Sequence, residues 1–377
     1  MSNERERELE LELVTMIRAR IEASPEGFIR FDEFMDLCLY APGLGYYAGD
    51  RVRTGREGDF YTSAYLGPVM GEMIARWIAD QADSLSPDVT VRLAEWGGGT
   101  GRLAVHILDE LRNSWPRVYS RVRYASIERN PAHLLCQREE LAAHRDKAAW
   151  LTEEEWFRSL KPGEGWIVWS NELVDAFPVK RLEFRKGVWL EHCVAWSEAK
   201  NGLELVLHPC ADEEALDHLS ARRAAWAEGQ IVELNLRGIA WLQNVLKLLP
   251  EGSVVMTIDY GDTDEELYAP HRMRGTLMCY HRHHAHDDPL VHPGEQDMTA
   301  HVNFSDLIAV GESLGLKKWK YMTQREFLLE QGVLDKLVPH AANDPFHPAA
   351  RKNRQIRQLL LGDTMGELFK VLIQWKK

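Results

Sequence analysis

The densest group of candidate functional residues is the glycine-rich segment Gly97-Gly98-Gly99-Thr100-Gly101, which follows an apolar run ending in Glu95 and Trp96. Glycines let a backbone turn sharply and let a ligand lie against the main chain, and a helix that begins there offers unpaired N–H groups. Glu128 ends the next apolar run, where a carboxylate can accept both hydroxyls of a ribose. These residues indicate a nucleotide site; the alternative is a tight strand–helix turn that binds nothing.

The spacing of the glycines narrows the choice of nucleotide. The frame Glu95-x-Gly97-x-Gly99-x-Gly101 has the form found in S-adenosylmethionine (SAM)-dependent methyltransferases of the Rossmann-like class. The dinucleotide pattern G-x-G-x-x-A also fits, from Gly99 to Ala104, but Glu128 follows Gly99 by about 30 residues where that pattern expects about 20. The sequence has no G-x-x-x-x-G-K-[ST] phosphate loop, which argues against an NTPase.

Six further segments accompany the glycine segment in a fixed order. They are Leu39-Tyr40-x-Pro42-x-Leu44-Gly45-Tyr46-Tyr47, Gly58-Asp59-Phe60-Tyr61-Thr62-Ser63, Asn171-Glu172-x-x-Asp175-Ala176-x-Pro178, Asp259-Tyr260-Gly261, Gly275-Thr276-Leu277 and Asp297-x-Thr299-Ala300-His301-Val302-x-Phe304. Together the seven resemble the MidA-like family of SAM-dependent methyltransferases, which includes the mitochondrial complex I assembly-factor arginine methyltransferase. One departure is Trp96-Gly97-Gly98, where the family usually has a small residue or Gly-Pro.

The resemblance implies an α/β fold, namely a Rossmann-like seven-strand class I SAM-dependent methyltransferase sheet with an N-terminal helical cap and a mid-chain α/β insertion. It implies SAM as the cofactor, bound by the glycine segment with Glu95, by Glu128 and by Asn171, while residues 58–63 fold over it. The residues of that covering loop expected to contact SAM are Gly58, Asp59, Thr62 and Ser63. The alternative for the loop is that one of its hydroxyls caps a helix that begins near Leu66.

The residues that follow the apolar run 166–170, Asn171-Glu172-Leu173-Val174-Asp175, are candidates for contacting the methyl acceptor. Ligands of parallel sheets bind at the carboxyl ends of the strands. If the acceptor is a protein arginine, as the resemblance implies, Glu172 and Asp175 can hold its guanidinium by bidentate hydrogen bonds and serve as catalytic residues. Alternatively, they cap the next segment or pair with Arg181. His301 is a third catalytic candidate, as general base or substrate orienter, against the alternative of a structural histidine.

Apolar periodicity predicts the elements that position these residues. Strands are expected over 89–95, 122–128, 166–170 and 253–259, and helices over 102–113 and 131–144 separate the first three strands. This alternation is typical of a parallel α/β sheet. Segments 276–280 and 316–321 are expected as the last, antiparallel strands and 355–375 as a closing helix, whereas the first 80 or so residues show no strand signal.

These elements divide the chain into five predicted parts. They are an N-terminal helical cap with the SAM-covering loop (1–85), the first part of the methyltransferase domain (86–180), a substrate-recognition insertion (181–237), the remainder of the methyltransferase domain (238–330) and a C-terminal helical segment (331–377).

Composition limits the other classes of function. The 377 residues carry 45 Lys and Arg against 58 Asp and Glu, a net charge of −13, so a dedicated nucleic-acid binder is not expected. No apolar run is long enough to predict a membrane span. The five cysteines are scattered and form no CxxC pair, which argues against a disulfide framework or a thiolate zinc site.

The histidine-rich run His281-Arg282-His283-His284-Ala285-His286-Asp287-Asp288 has residue types that bind zinc. Alternate positions on a strand end would place these side chains on both faces, so no metal is expected and a polar lid beside the active site is the preferred interpretation.

The N-terminal residues have no apolar signal core and are not acid-poor as a transit peptide would be, which predicts a cytoplasmic protein. The sequence as a whole predicts a SAM-dependent methyltransferase that acts on arginine in an unidentified acceptor protein. Two alternatives stay open: a small-molecule O- or N-methyltransferase, and a SAM-binding assembly factor that acts by protein–protein interaction.

Overall fold

The structure is a computed structural model, and it describes residues 2–49, 67–222, 225–339, 347–361 and 365–377. The strands, in chain order, are β1 (Phe28–Arg30), β2 (Val91–Trp96), β3 (Val122–Ile127), β4 (Ala148–Leu151), β5 (Trp166–Asn171), β6 (Lys180–Arg185), β7 (Val188–Ser197), β8 (Gly202–Pro209), β9 (Ile231–Leu234), β10 (Ser253–Asp262), β11 (Met278–His281), β12 (His284–His286), β13 (Asp297–Thr299), β14 (Val302–Asn303), β15 (Lys318–Thr323) and β16 (Phe369–Lys376).

The α-helices connect and cover these strands. They are α1 (Ser2–Ala23), α2 (Phe31–Tyr40), α3 (Val69–Asp83), α4 (Arg102–Ser114), α5 (Pro116–Arg121), α6 (Pro131–Glu140), α7 (Glu153–Ser159), α8 (Glu213–Ser220), α9 (Leu236–Leu248), α10 (Asp264–Leu267), α11 (Phe304–Ser313), α12 (Gln324–Glu330), α13 (Pro348–Leu361) and α14 (Met365–Leu368). No helix of the described ranges is long and apolar enough to cross a membrane.

A large sheet forms the centre of the fold, with the strand order β15-β16-β10-β5-β2-β3-β4. The strands from β10 to β4 run parallel to one another, and β16 runs antiparallel to both of its neighbours. The inner strands are buried along nearly their whole length, which is why they appear in the sequence as continuous apolar runs rather than as alternating ones.

Helices cover both faces of this sheet. On one face α3 and α4 pack through residues such as Met73, Ile74 and Ile107, and on the other α9 and α11 pack through Leu242 and Phe304. The chain therefore has the mixed α/β fold that was expected. Its large sheet has eight strands among the described residues, because the two-residue β14 pairs with the end of β10.

The first two helices, strand β1 and the insertion form one smaller unit. Strands β6 to β9 make an antiparallel sheet, and β1 adds to its edge by pairing with β7. Helices α1 and α2 lie against this sheet, so that Phe31 and Phe34 share a core with Val194. The expectation that the first 80 residues hold no strand is wrong, because a segment as short as β1 acquires its extended form from the strand it pairs with.

The C-terminal prediction also needs correction, since residues 355–375 do not form one helix. The chain is helical in α13 and α14 and then enters β16, where Val371, Leu372 and Ile373 are buried between β10 and β15. A short apolar run of this kind fits a buried strand as well as a helix, so periodicity alone cannot separate them. Residues 278–281 belong to a separate three-stranded sheet rather than to the large one, whereas β15 is antiparallel to its neighbour as predicted.

The close parallel pairing of β10 and β14 at Gly261 gives a testable prediction. A Cβ atom on this residue would lie 2.0 Å from the carbonyl oxygen of Val302 and 2.7 Å from its amide nitrogen. Because both are backbone atoms, Gly261→Ala should lower the free energy of unfolding by about 3 kcal/mol. Gly202→Ala is the control, since its Cβ would meet nothing nearer than 3.8 Å. Equal stabilities of the two variants in urea titrations would contradict the prediction.

Candidate active site

The candidate site lies where four adjacent parallel strands end. In the register of the sheet Trp96 of β2 stands beside Ile127 of β3 and Ser170 of β5, and Asn171 of β5 stands beside Ile258 of β10. The residues that directly follow these positions are Gly97, Glu128, Glu172 and Asp259. The fold thus brings one predicted residue or motif from each strand to the carboxyl edge of the sheet, where parallel sheets bind ligands.

The glycine segment forms a tight loop that leads from β2 into α4. Gly97, Gly99 and Gly101 have φ angles of +65°, +53° and +85°, which favour glycine over residues with a side chain. A Cβ on Gly97 would lie 2.7 Å from the side chain of Leu173, and one on Gly101 would lie 3.0 Å from that of Gln137. The loop therefore requires its glycines, and it presents backbone N–H groups at the beginning of a helix.

Glu128 is held in place by backbone amides. One carboxylate oxygen accepts from the N–H of Gly99 at 3.2 Å, and the other accepts from the N–H groups of Arg129 and Asn130 at 2.8 and 2.9 Å. Only 9% of the side chain is exposed. Because each carboxylate oxygen has more than one lone pair, Glu128 keeps acceptor capacity for a ligand while its orientation is fixed.

Two residues that the sequence did not single out complete this side of the site. The fully buried amide of Gln137 donates to the carbonyl oxygen of Gly99 at 2.8 Å and accepts from the hydroxyl of Ser126 at 2.6 Å. A single glutamine in a helix and a serine in an apolar run carry no spacing signal, so only the structure reveals that they support the loop.

Glu95 lies beneath the loop. Its two carboxylate oxygens accept from the hydroxyl of Tyr124 at 2.6 Å and from the indole N–H of Trp169 at 3.0 Å. Burial raises the pKa of Glu95 to about 7, the two hydrogen bonds act in the opposite direction, and the charge of Glu128 raises it further. Both carboxylate oxygens of Glu95 are thus engaged by buried side chains.

Asp259 organises the turn after β5. Its Oδ2 accepts from the backbone N–H groups of Leu173, Val174 and Asp175, at 3.2, 2.9 and 3.4 Å. The side chain is fully buried, and burial together with the nearby charges of Asp175 and Glu172 raises the pKa of Asp259 well above its usual range. Asp259 lies in one of the seven segments, but the sequence analysis assigned it no role.

The turn that Asp259 holds contains three predicted site residues. Glu172 has a φ of +52°, an uncommon conformation for a residue with a side chain, and its N–H donates to the carbonyl oxygen of Ile258 at 2.9 Å. The Asn171 amide group donates to Glu172 Oε1 at 3.0 Å. Within the described residues, the buried Oδ1 atom of Asn171 has no hydrogen-bond partner.

Asp175 is a buried carboxyl group with an unused oxygen. The residue is 4% exposed, and its Oδ1 has no hydrogen-bond partner among the described residues. Burial raises the pKa of Asp175 to about 6, and the neighbouring Tyr260 hydroxyl acts in the opposite direction. Arg181, the partner proposed in the alternative interpretation, instead forms an ion pair with Glu233 at 3.4 Å.

His301 joins the same group of residues through Tyr260, since the two rings meet edge to face with their centres 5.5 Å apart. Burial lowers the pKa of His301 to about 4, and the charges of Arg272 and Lys370 lower it further. The imidazole is therefore neutral near pH 7, so one of its ring nitrogens is a hydrogen-bond acceptor.

Two tyrosines of the N-terminal cap line this part of the site. The Tyr40 hydroxyl donates to the carbonyl oxygen of Ala176 at 2.9 Å, and the Tyr47 hydroxyl lies 2.8 Å from both carboxylate oxygens of Asp297. The two rings stack with centres 5.8 Å apart. Burial raises the pKa of both tyrosines, and the charges of Asp297 and Asp175 raise it further.

Other predicted residues lie elsewhere. Gly58, Asp59, Thr62 and Ser63 are outside the described residues. The histidine-rich run forms the hairpin of β11 and β12, and the ring of His281 stacks on that of His292 at 4.2 Å. No group of three or more His, Cys, Asp or Glu side chains in the described part of the chain is arranged to hold a metal ion.

Comparison with known proteins identifies the class. Residues 73–322 match the model of a family described as S-adenosyl-L-methionine-dependent methyltransferases. A crystal structure of a protein from Burkholderia thailandensis bound to S-adenosyl-homocysteine is 32% identical, has a TM-score of 0.84, and the match covers 97% of this chain and 92% of that one. The chain therefore belongs to this family of SAM-dependent methyltransferases, in agreement with the resemblance to its MidA-like members.

Several curated relatives carry names that are more specific. They include the protein arginine methyltransferases NDUFAF7 of Mus musculus and Homo sapiens and the homologue in Drosophila melanogaster. They are 25%, 26% and 25% identical to this chain, and the matches cover 81%, 81% and 80% of this chain and 71%, 70% and 70% of the relatives, respectively.

The prediction of a cytoplasmic protein is wrong by this comparison. All three relatives are named mitochondrial proteins, which points to the mitochondrion rather than to the cytoplasm. The prediction depended on the acidic composition of the first residues, which describes one property of a short segment and not the compartment in which related proteins act.

The chain uses SAM as its cofactor, and the residues at the site fit it. At Gly97 and Gly101 the loop has no room for a side chain, so a ligand can approach its backbone. Glu128 can still accept hydrogen bonds from a ligand. The Oδ1 atom of Asn171 is a buried acceptor that lacks a donor among the described residues, and the ammonium group of SAM is a donor.

Glu128 provides the test of this cofactor site. Hydrogen bonds to a charged acceptor are worth roughly 1.5–3 kcal/mol each, so Glu128→Ala should weaken SAM binding by about tenfold to a few hundredfold. Glu139→Gln, an exposed carboxylate on α6, is the control. Calorimetry that gives a change below about twofold for a folded Glu128→Ala protein would show that Glu128 does not contact the cofactor.

Proposed function

We propose that this methyltransferase transfers the methyl group of SAM to an arginine side chain of an acceptor protein. The observation that carries the proposal is the buried Asp175 carboxyl group, whose free oxygen lies among tyrosines and other carboxylates and forms no ion pair with a described lysine or arginine. A buried carboxylate is costly unless a cation pairs with it. The names of the curated relatives support the same acceptor.

The acceptor side of the site suits a guanidinium group. Glu172 and Asp175 would hold it by charge-assisted hydrogen bonds, and the geometry of a planar cation fits bidentate contact with carboxylates. The stacked rings of Tyr40 and Tyr47 add aromatic faces that favour a cation. A neutral small-molecule acceptor would leave these buried negative charges without compensation.

The cofactor side would be formed by the loop of residues 97–101, Glu128 and Asn171. Bound SAM supplies a sulfonium methyl group that is open to displacement by a nucleophile. Glu172 and Asp175 would hold the acceptor nitrogen in line with that methyl group, so that the chain contributes position and orientation to the reaction.

Methylation of a protonated guanidinium releases one proton, and the pKa values indicate which residue accepts it. A proton acceptor works best when its pKa lies near the working pH. The pKa of Asp175, about 6, meets this condition better than that of His301, about 4. We therefore assign proton acceptance to Asp175, while His301 as a neutral hydrogen-bond acceptor orients the guanidinium.

The expected domain roles belong to the same proposal. The large sheet would be the seven-strand class I sheet, with β14 as a short addition, and the cap over residues 1–85 would cover SAM. The insertion over residues 181–237 would recognise the acceptor protein, and residues 238–330 would complete the catalytic domain. The segment over 331–377 would close it, with β16 in place of the expected helix.

Labelled SAM incubated with mitochondrial and whole-cell lysates tests the acceptor class. Labelled protein bands that contain methylarginine by mass spectrometry would support the proposal. Label in small metabolites alone would favour a small-molecule methyltransferase, and no transfer at all would favour an assembly factor that acts by partner binding.

Glu172→Gln separates acceptor binding from cofactor binding. The variant keeps the size of the side chain and loses the charge that would hold a guanidinium, so it should bind SAM like the wild type and lose most methyl transfer. Glu139→Gln, the exposed carboxylate on α6, is again the control. Wild-type turnover of Glu172→Gln would contradict the guanidinium contact, and loss of SAM affinity would place Glu172 in the cofactor site.

Asp175→Asn should raise stability while it removes activity. The folded pKa of Asp175, about 6, is above its ordinary value of 3.8, so folding favours the protonated form and stability is lost as the pH rises through 6. At pH 8 the free energy of unfolding of the neutral variant should therefore exceed that of the wild type by up to about 3 kcal/mol. Near pH 4 the two should be equally stable. Thermal unfolding at both pH values measures this, with the exposed Asp146→Asn as control.

The raised pKa of Asp175 also predicts how the rate of the wild-type reaction depends on pH. Methyl transfer should fall as the pH drops through about 6, because protonated Asp175 neither binds a cation nor accepts a proton. A less stable Asp175→Asn protein at pH 8, or a rate that is flat between pH 5 and 7, would contradict the assignment.

A further inference from the structure

A continuous set of hydrogen bonds connects the insertion to His301. Glu233, at the end of β9, is 9% exposed, and its Oε2 atom accepts from both the backbone N–H and the hydroxyl of Thr276, at 2.7 and 3.1 Å. The Thr276 oxygen in turn accepts from the backbone N–H of His301 at 3.1 Å. Three segments distant in sequence therefore meet at one hydroxyl group.

The hydroxyl of Thr276 can satisfy both contacts in only one orientation. It has a single proton, which it donates to Glu233, so its lone pairs remain for the N–H of His301. The carboxylate therefore fixes not only the position of Thr276 but also the direction in which its oxygen accepts. A residue without a hydroxyl would leave both Glu233 and the His301 amide without this partner.

The backbone beside Thr276 is shaped to admit Glu233. Gly275 has a φ of +71°, and a Cβ on it would lie 2.3 Å from Glu233 Oε1. The residues before Gly275 also lie along β9, since the Ile231 N–H donates to the carbonyl oxygen of Met273 at 3.0 Å. The segment that carries Thr276 is thus held along the edge of the insertion sheet.

We propose that Glu233 is a positioning residue for methyl transfer, acting through the hydroxyl of Thr276 on the backbone of His301. It sets the direction of the imidazole beside Tyr260, which gives the insertion a direct part in the geometry of the active site. This proposal rests on the proposed role of His301 as the residue that orients the acceptor.

Thr276→Val and Thr276→Ser form a matched pair that tests the connection. Valine keeps the shape of threonine without the hydroxyl, whereas serine keeps the hydroxyl. Thr276→Val should keep its affinity for SAM and lose kcat by about tenfold to a hundredfold, because small displacements of a positioned group have effects of this size. The kcat of Thr276→Ser should stay within about threefold of the wild-type value. In NMR spectra the His301 ring resonances of Thr276→Ser should match those of the wild type, whereas the His301 resonances of Thr276→Val should shift.

His301→Ala, measured in parallel, separates the failure of this proposal from the failure of the proposed function. If His301→Ala turns over like the wild type, the role of His301 itself is wrong. If His301→Ala loses activity while Thr276→Val keeps wild-type kcat and unshifted His301 resonances, the positioning role of Glu233 is overturned. Equal losses in the serine and valine variants would overturn it as well.

A second variant guards against failure of Thr276→Val to fold, which thermal unfolding would reveal. Glu233→Gln keeps one acceptor oxygen and loses the charge, so it should shift the His301 resonances in the same direction by a smaller amount. Unshifted His301 resonances in a folded Glu233→Gln protein would then overturn the proposal.

Discussion

The arrangement of the site depends on a carboxylate that is fully buried. Asp259 accepts hydrogen bonds from three consecutive backbone amides, and these amides belong to the turn that leaves the neighbouring strand. Without that acceptor the amides would be buried and unsatisfied, which proteins rarely tolerate. The turn also carries Glu172 in its left-handed conformation and Asp175 with its unused oxygen. Two parallel strands are therefore joined at their ends by one side chain, and the residues assigned to the acceptor take their positions from it.

The carboxylates of the site are accommodated in different ways. Glu128 accepts hydrogen bonds from three backbone N–H groups, whereas burial raises the pKa of Asp175, Asp259 and Glu95. Burial of a carboxylate costs folding free energy, and hydrogen bonds to Asp259 and Glu95 offset part of that cost. The Oδ1 atom of Asp175 has no such partner among the described residues. Under the proposed function, the buried Asp175 lowers the stability of the free protein and provides a charge for a cationic acceptor, an exchange that functional sites commonly make.

The sequence predicted what depends on local geometry and missed what depends on partners distant in the chain. The glycine loop and the position of Glu128 at a strand end could be predicted because backbone turns and strand ends leave spacing patterns that need no tertiary information. The contacts of Gln137, Ser126 and Glu233 could not be found, because a polar residue within a regular element gives no signal until its partner is known. For β16 the difficulty was of a different kind: a short apolar run satisfies helix and strand equally, and its pairing with β10 and β15 decides. The compartment was predicted from the N-terminal residues alone, and the curated relatives contradict it.

The place of β16 within the large sheet has a consequence for how the chain acquires its fold during synthesis. Strand β10 pairs on one side with β5, which precedes it, but on the other side with residues that follow it by roughly 110 positions. Until the ribosome has produced those residues, β10 presents an open edge of N–H and C=O groups, and β15 has no neighbour through which to join the sheet. Edges of this kind invite pairing with other chains. The order of the strands along the chain thus makes this edge of the central sheet the last to be completed.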